Sequence, residues 1–363
     1  MRDGLVRRVV SGPVKGLLDV GPHDRAHVPA IRAGGSISLP LLFVWFIGHP
    51  ELAPFVAFGA MTGIYGRNVS RRHRAAMQSQ AAVSLVVAVV LGTIISLYPE
   101  RDWLLVVAGA TFAAVVSVAA HLLAWRPPGP LFQLFGLAVC ANTAGSTWHT
   151  VGIAFLVSSA SALFAILFSL IGRRETNPRP APGLPGPRQA WDHFRSDATM
   201  RHIVRMGGAT LVTGALTTLM GIGHPYWGMV AAAAPLAAPT TGRQVQRGLH
   251  RIIGTLGGLV IAALCLLFLP QGLPIIIAII IFQAGAELFV IRNYTLGLLS
   301  ITPLALLMGQ LVHPQPIGTV LWDRGVETAV GVLVSVAFTF LTHADDDSPE
   351  ADDEEFLEAV SPR

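Results

Sequence analysis

The sequence predicts an all-α, polytopic membrane protein of about 12 transmembrane helices, arranged as two parallel six-helix repeats. Three observations predict this. Apolar residues make up 52% of the 363 residues and charged residues 13%, with a mean hydropathy of +0.59; a soluble domain carries about 25% charged residues. Apolar runs recur twelve times, separated by short breaks rich in Gly, Pro or charge. Finally, short motifs of the first half return in the same order in the second.

In chain order, residues 1–32 form a basic lead-in with Arg2, Arg7, Arg8, Lys15, Arg25 and Arg32. Pro13, Pro22 and Pro29 interrupt it, and it lacks the apolar core of a cleaved signal peptide. Apolar spans follow over 33–47, 52–65, a long third run to about 97, 103–125, a fifth run to about 145, and 148–171. The second of these is short and rich in small residues (Ala53, Ala57, Gly59, Ala60, Gly63), which lets helices approach closely in lipid. A basic turn, Arg67 to Arg74, precedes the third span. Residues 173–202 carry five prolines between Pro178 and Pro187 and read as an extended linker. A second apolar array covers 203–222, 225–240, 250–269, 273–291, 294–312 and 318–342. The tail, 344–363, holds nine acidic residues between Asp345 and Glu358 and is expected to be disordered.

The repeat rests on four matches. Ile31-Arg32-Ala33-Gly34-Gly35 returns as Val204-Arg205-Met206-Gly207-Gly208, and Gly48-His49-Pro50 as Gly223-His224-Pro225. The collar Gly66-Arg67-Asn68-Val69-Ser70-Arg71 returns as Gly242-Arg243-Gln244-Val245-Gln246-Arg247, and Trp148 pairs with Trp322. The offsets stay between 173 and 176, so the membrane repeats are 33–172 and 203–343. Six spans is an even number, which makes the halves parallel and not inverted. With the N-terminus inside, every Lys and Arg except Arg101 and Arg324 falls on the inner side. That satisfies the positive-inside rule and puts both termini and the linker in the cytoplasm of a multi-pass cell-membrane protein.

Several charged residues invite function. Arg243, Arg247 and Arg251 stand at i, i+4 and i+8, one helical face. They can anchor topology or, with Arg67 and Arg71, form an inner vestibule that attracts organic anions, which guanidinium binds bidentately. Glu287 lies at membrane depth, where an ionisable group is costly; it can pair with Arg292 or carry a coupling proton. His121 is its counterpart if Arg126 corresponds to Arg292. Asp323 and Glu327 share a face of the last span, as an internal ion pair or as a proton-access site. Pro225, Tyr226 and Trp227 open a short, interrupted span. The aromatics read as interfacial belt or as pathway lining, and paired interrupted spans point to a transport site.

The Arg-led first span, Pro225-Tyr226-Trp227-Gly228, the arginine collar running into Ile252-Ile253-Gly254-Thr255, and Asp323-Arg324-x2-Glu327-Thr328-x2-Gly331 together resemble the fusaric-acid-resistance (FUSC-like) family. The resemblance covers both halves and is stronger in the second. It implies an exporter of small organic, in particular aromatic, acids, driven by protons or by the substrate gradient. Plant aluminium-activated malate channels are distantly similar, which leaves a passive anion channel as an alternative; a non-transporting scaffold of the cell envelope is another. No enzyme constellation, ATP-binding motif or metal-ligand spacing is present in the sequence, so neither cofactor nor metal is expected. Cys140 and Cys265 lie within apolar runs, which argues against a disulfide framework. The expected partners are membrane lipid, small organic anions and, as an open alternative, further copies of the chain. Nucleic acid is not expected, because topology explains the arginine clusters.

Overall fold

A computed structural model describes residues 27–171 and 194–342, apart from 68, 144, 239, 271, 291 and 313. Residues 1–26 of the basic lead-in, most of the proline-rich linker and the acidic tail lie outside the described residues.

The described residues fold into twelve α-helices, six on each side of the linker. They are α1 (His27–Phe46), α2 (Ala53–Ala60), α3 (Arg71–Ile95), α4 (Arg101–Leu122), α5 (Leu131–Ala141) and α6 (Trp148–Leu170), then α7 (Asp197–Leu219), α8 (Pro225–Leu236), α9 (Thr241–Phe268), α10 (Leu273–Phe289), α11 (Tyr294–Val312) and α12 (Ile317–Leu341). Two 3-10 turns, Pro50–Leu52 and Met61–Ile64, flank α2. Polar residues set several of the starts. Ser70, Thr147, Ser196 and Thr240 each accept a hydrogen bond from the backbone N–H three residues on, meeting donors that the first turn leaves orphaned. Three helices start well before the expected spans: α1 at His27, inside the basic lead-in, α7 at Asp197, inside the linker, and α9 at Thr241.

Twelve full spans were expected, and here the structure differs. Six helices (α1, α3, α4, α6, α9 and α12) are long and apolar enough to cross a membrane, and α5, α10 and α11 are shorter apolar helices. At about 1.5 Å per residue, α2 with 8 residues and α8 with 12 cannot cross about 30 Å of hydrocarbon. They are core elements instead. Every residue of both is buried, so neither shows lipid a face, and neighbouring helices surround them on all sides.

The same helix pairs meet in each half. In the first, α2 packs on α6, α3 on α5 and α6, α1 on α2 and α6, and α4 on α5. In the second, α8 packs on α12, α9 on α11 and α12, α7 on α8 and α12, and α10 on α11. The halves also contact each other reciprocally. Helix α4 of the first lies on α7, the opening helix of the second, and α10 of the second lies on α1, the opening helix of the first. A shared core of Val106, Ala113, Leu134, Met206, Ala209 and Met229 fills one of these seams.

One side-chain clamp occurs in both halves. Gln78 on α3 donates to the carbonyl of Tyr65 at 3.0 Å and accepts from Ser169 on α6. Gln244 on α9 donates to the carbonyl of Ala238 and accepts from Thr339 on α12, both at 2.9 Å. Each clamp ties the chain just before a long helix to the end of the last helix of its half. Buried amides satisfied in this way fix one arrangement of the bundle.

The arginine collars, by contrast, do not correspond in conformation. Gly66 has φ +76° and Arg67 sits in the turn before α3, which Ser70 caps. Gly242 and Arg243 lie inside the first turn of α9, capped by Thr240. The caps Ser70 and Thr240 are the matching positions, so Arg67 and Arg71 are not on a helical face shared with the second collar. The identical hexapeptide spacing is overridden by the connections, since ten residues separate α2 from α3 and four separate α8 from α9.

Candidate functional site

Helix α9 and helix α12 set the site. Gly254 and Gly258, four residues apart, let α9 approach α11 closely, as small-x3-small spacing does in lipid. A Cβ at Gly254 would stand 2.6 Å from Leu298 Cβ and 2.9 Å from the Thr295 carbonyl. This approach brings Arg251, 3% exposed, to Tyr294 at the start of α11, where its Nη1 donates to the phenol oxygen at 2.9 Å. One turn earlier, the Arg247 guanidinium lies 5.1 Å from the centre of the same ring, within cation–π range. His250 pairs with Thr295 at 2.7 Å.

Helix α12 enters from the other end. Asp323, Arg324 and Glu327 are all buried, Glu327 completely. Asp323 lies 3.2 Å from Nδ1 of His224, the residue that caps α8. His224 stacks on Trp227 at a centroid distance of 4.7 Å, and Arg324 sits over the same indole at 5.1 Å. Tyr226 meets Trp227 edge-on and stacks against Phe135 from the first half. Arg251, Glu327, Tyr226 and Tyr294 all lie close enough to the Arg324 guanidinium to act on it electrostatically. The Glu327 carboxylate faces the backbone N–H groups of His224 and Gly228 at the start of α8, where the helix dipole is positive. Even so, neither Glu327 oxygen, nor Nε or Nη1 of Arg324, nor Nε of Arg251 makes a well-aligned hydrogen bond among the described residues.

These groups form a polar column through one half. It runs from His224 and Asp323 at one end, through Arg324 and Glu327, to Arg251, Tyr294, Arg247 and the collar at the other. Glu327 is the eleventh of 25 residues in α12, near the middle of the helix. Pro225, Tyr226 and Trp227 line this column as buried residues, so the belt reading of the two aromatics is wrong. They cap an enclosed helix and do not end a lipid-facing one. The residues left out of the expected site are His224, Arg324 and Tyr294. The sequence did hint at Arg324, which the expected topology sets apart from nearly every other Lys and Arg; Tyr294, first residue of an apolar helix, gave no such signal.

The other expected residues lie elsewhere. Glu287, 7% exposed and near the end of α10, accepts at 3.3 Å from Gln283 one turn before it. The Arg67 side chain reaches across from the first half and donates to the Glu287 carbonyl at 3.2 Å. Thus Arg67 bridges the halves, apart from the column. Arg71 opens α3 and is half-buried, as is Arg243 in the first turn of α9. His121 lies exposed in the last turn of α4, beside His202 of α7, unlike the buried Glu287. In the first half, His49 and Glu51 occupy the turn corresponding to His224 and pair at 2.8 Å in the open. That hydrogen bond holds the Glu51 carboxyl below its usual range.

A bundle of apolar helices that turns large side chains such as Phe46, Leu267, Phe268 and Leu341 outward while burying Arg251, Asp323, Arg324 and Glu327 is an integral membrane protein. Residues 211–338, from within α7 to near the end of α12, match the family described as fusaric acid resistance protein-like. The chain is also 27% identical over 155 residues to "Uncharacterized membrane protein YvaC" of Bacillus subtilis (strain 168), a match that takes in 42% of this chain and 24% of that protein. The chain therefore aligns with about a quarter of that relative. No solved structure matches. The family match spans the whole polar column from His224 to Glu327.

Proposed function

We propose that this protein exports small organic acids across the cell membrane, driven by protons or by the substrate gradient. The observation that carries the reading is the buried charged column of the second half, because ionisable side chains inside apolar bundles mark substrate and ion pathways. The family match over the same residues supports it. We further propose that the halves are parallel repeats with both termini in the cytoplasm. The shared helix pairings and the concentration of arginine on one side support this arrangement.

Two measurements test these points. Cysteines introduced singly at Ser96, between α3 and α4, and at Gly309 should differ in sidedness from one at Arg72. Labelling of Arg72→Cys from outside intact cells, with a membrane-impermeant thiol reagent, would reverse the assigned orientation. For function, cells producing the protein should accumulate less radiolabelled benzoate than cells without it, and lose the difference when the gradient is dissipated. Currents that are ohmic and indifferent to a pH gradient would instead identify a channel.

A further inference from the structure

We infer that Arg251, Arg324 and Tyr294 form a binding site for one monovalent organic carboxylate, present once per chain and confined to the second half. This deepens the export reading and rests on it.

The charge count is the first argument. The column holds three guanidinium groups, Arg247, Arg251 and Arg324, against two carboxylates, Asp323 and Glu327, and a neutral His224 beside Asp323 leaves one positive charge in excess. An uncompensated charge in an apolar interior costs several kcal/mol, and a single bound anion removes the imbalance. A dianion would restore it with opposite sign. Geometry is the second argument. Arg251 and Arg324 approach from opposite ends of two adjacent helices, and each keeps buried N–H groups that make no well-aligned hydrogen bond among the described residues. Guanidinium donors of that kind suit a planar carboxylate. The Trp227 ring face holds Arg324 and the Tyr294 hydroxyl accepts from Arg251, so the donors are positioned before any ligand arrives.

The restriction to one half follows from the sequence of the matching helices. Helix α6, which packs as α12 does, contains no Asp, Glu, Lys or Arg. Helix α3, which packs as α9 does, carries Arg71, Arg72 and Arg74 in its first turn and no Asp, Glu, Lys or Arg after them. Arg74 donates to the Ser169 carbonyl at 2.9 Å, at the end of α6. Where the second half holds its charges, the first holds a neutral network in which Gln133 joins Tyr65 and Ser84.

Calorimetric titration of purified protein in lipid nanodiscs with benzoate tests the inference. The expected result is one benzoate per chain, weaker binding of the dicarboxylate succinate, and at least about tenfold weaker benzoate binding in Arg251→Gln, the loss expected for one charged hydrogen-bonding group. Tyr294→Phe keeps the ring beneath Arg247 and should fold; it should weaken binding by a smaller factor. Two benzoates per chain, tighter binding of succinate, unchanged affinity in both variants, or no binding by the parent protein would each overturn the site. Protein that binds benzoate as expected yet moves none in proteoliposomes would overturn export and leave the site standing. Export with unchanged affinity in Arg251→Gln would do the reverse.

Discussion

Arg324→Leu is expected to lose about 1–3 kcal/mol of stability, because it withdraws a cation that attracts the buried Glu327 carboxylate without breaking a direct ion pair. Glu327 is completely buried on the middle of α12, with Arg324 as the guanidinium that attracts it. The measurement is thermal unfolding in detergent, read beside the amount of correctly inserted protein. Glu327→Leu should be destabilising too, though the Arg324 side chain can still lean on the face of Trp227. Combining the two should recover much of the loss, because both buried charges are then gone. Export should not return in the double variant. A strictly additive double-mutant cycle would show that the two residues do not interact, and full export by the double variant would remove them from the pathway.

Gly331→Val should be nearly as damaging, for a reason unrelated to charge. A Cβ at residue 331 would run into the Gly228 carbonyl oxygen, and would stand 2.7 Å from Ala231 Cβ and 2.9 Å from the Ala232 backbone nitrogen. Two of those three obstacles are backbone, so no rotamer change relieves the overlap. Overpacking of this kind costs about 1–3 kcal/mol and sometimes more. Helix α8 would have to move away from α12, carrying His224 and Trp227 off their partners. The expected outcome is a lower unfolding temperature and loss of organic-acid export together. A Gly331→Val protein with parental stability would mean that α8 and α12 are not held in this close approach.

Much of the helix layout was legible because apolar runs and their breaks are direct consequences of lipid as solvent. Spans expected at 148–171, 294–312 and 318–342 lie within a residue of α6, α11 and α12. The run expected from 250 begins instead at Thr241, since arginines extend a helix readily when their heads reach polar surroundings. Depth was harder to read. Arg251 looked like the third anchor of a surface collar, whereas its side chain turns into the bundle toward Tyr294. No spacing rule shows this, because α11 decides it by packing on Gly254 and Gly258. Tyr226 and Trp227 misled for a similar reason: an aromatic pair after a proline looks the same whether lipid or protein surrounds it. Glu287 was expected to find Arg292 nearby in sequence, yet the chain also brings Arg67 from 220 residues away.

The reciprocal seats of α1 on α10 and α7 on α4 bear on how such a molecule can vary. Two identical subunits related by a twofold axis would exchange their opening helices in the same manner, and symmetry would then force any mutation on both. A charged column that arose in one would be present twice, doubling the cost of buried charge. Joined in one chain, the copies are released from that constraint. One can stay neutral, bonded through glutamine, tyrosine and serine, while the other buries arginine, aspartate and glutamate. The linker between the halves is thus more than a tether: covalent fusion is what permits a division of labour between two otherwise similar bundles.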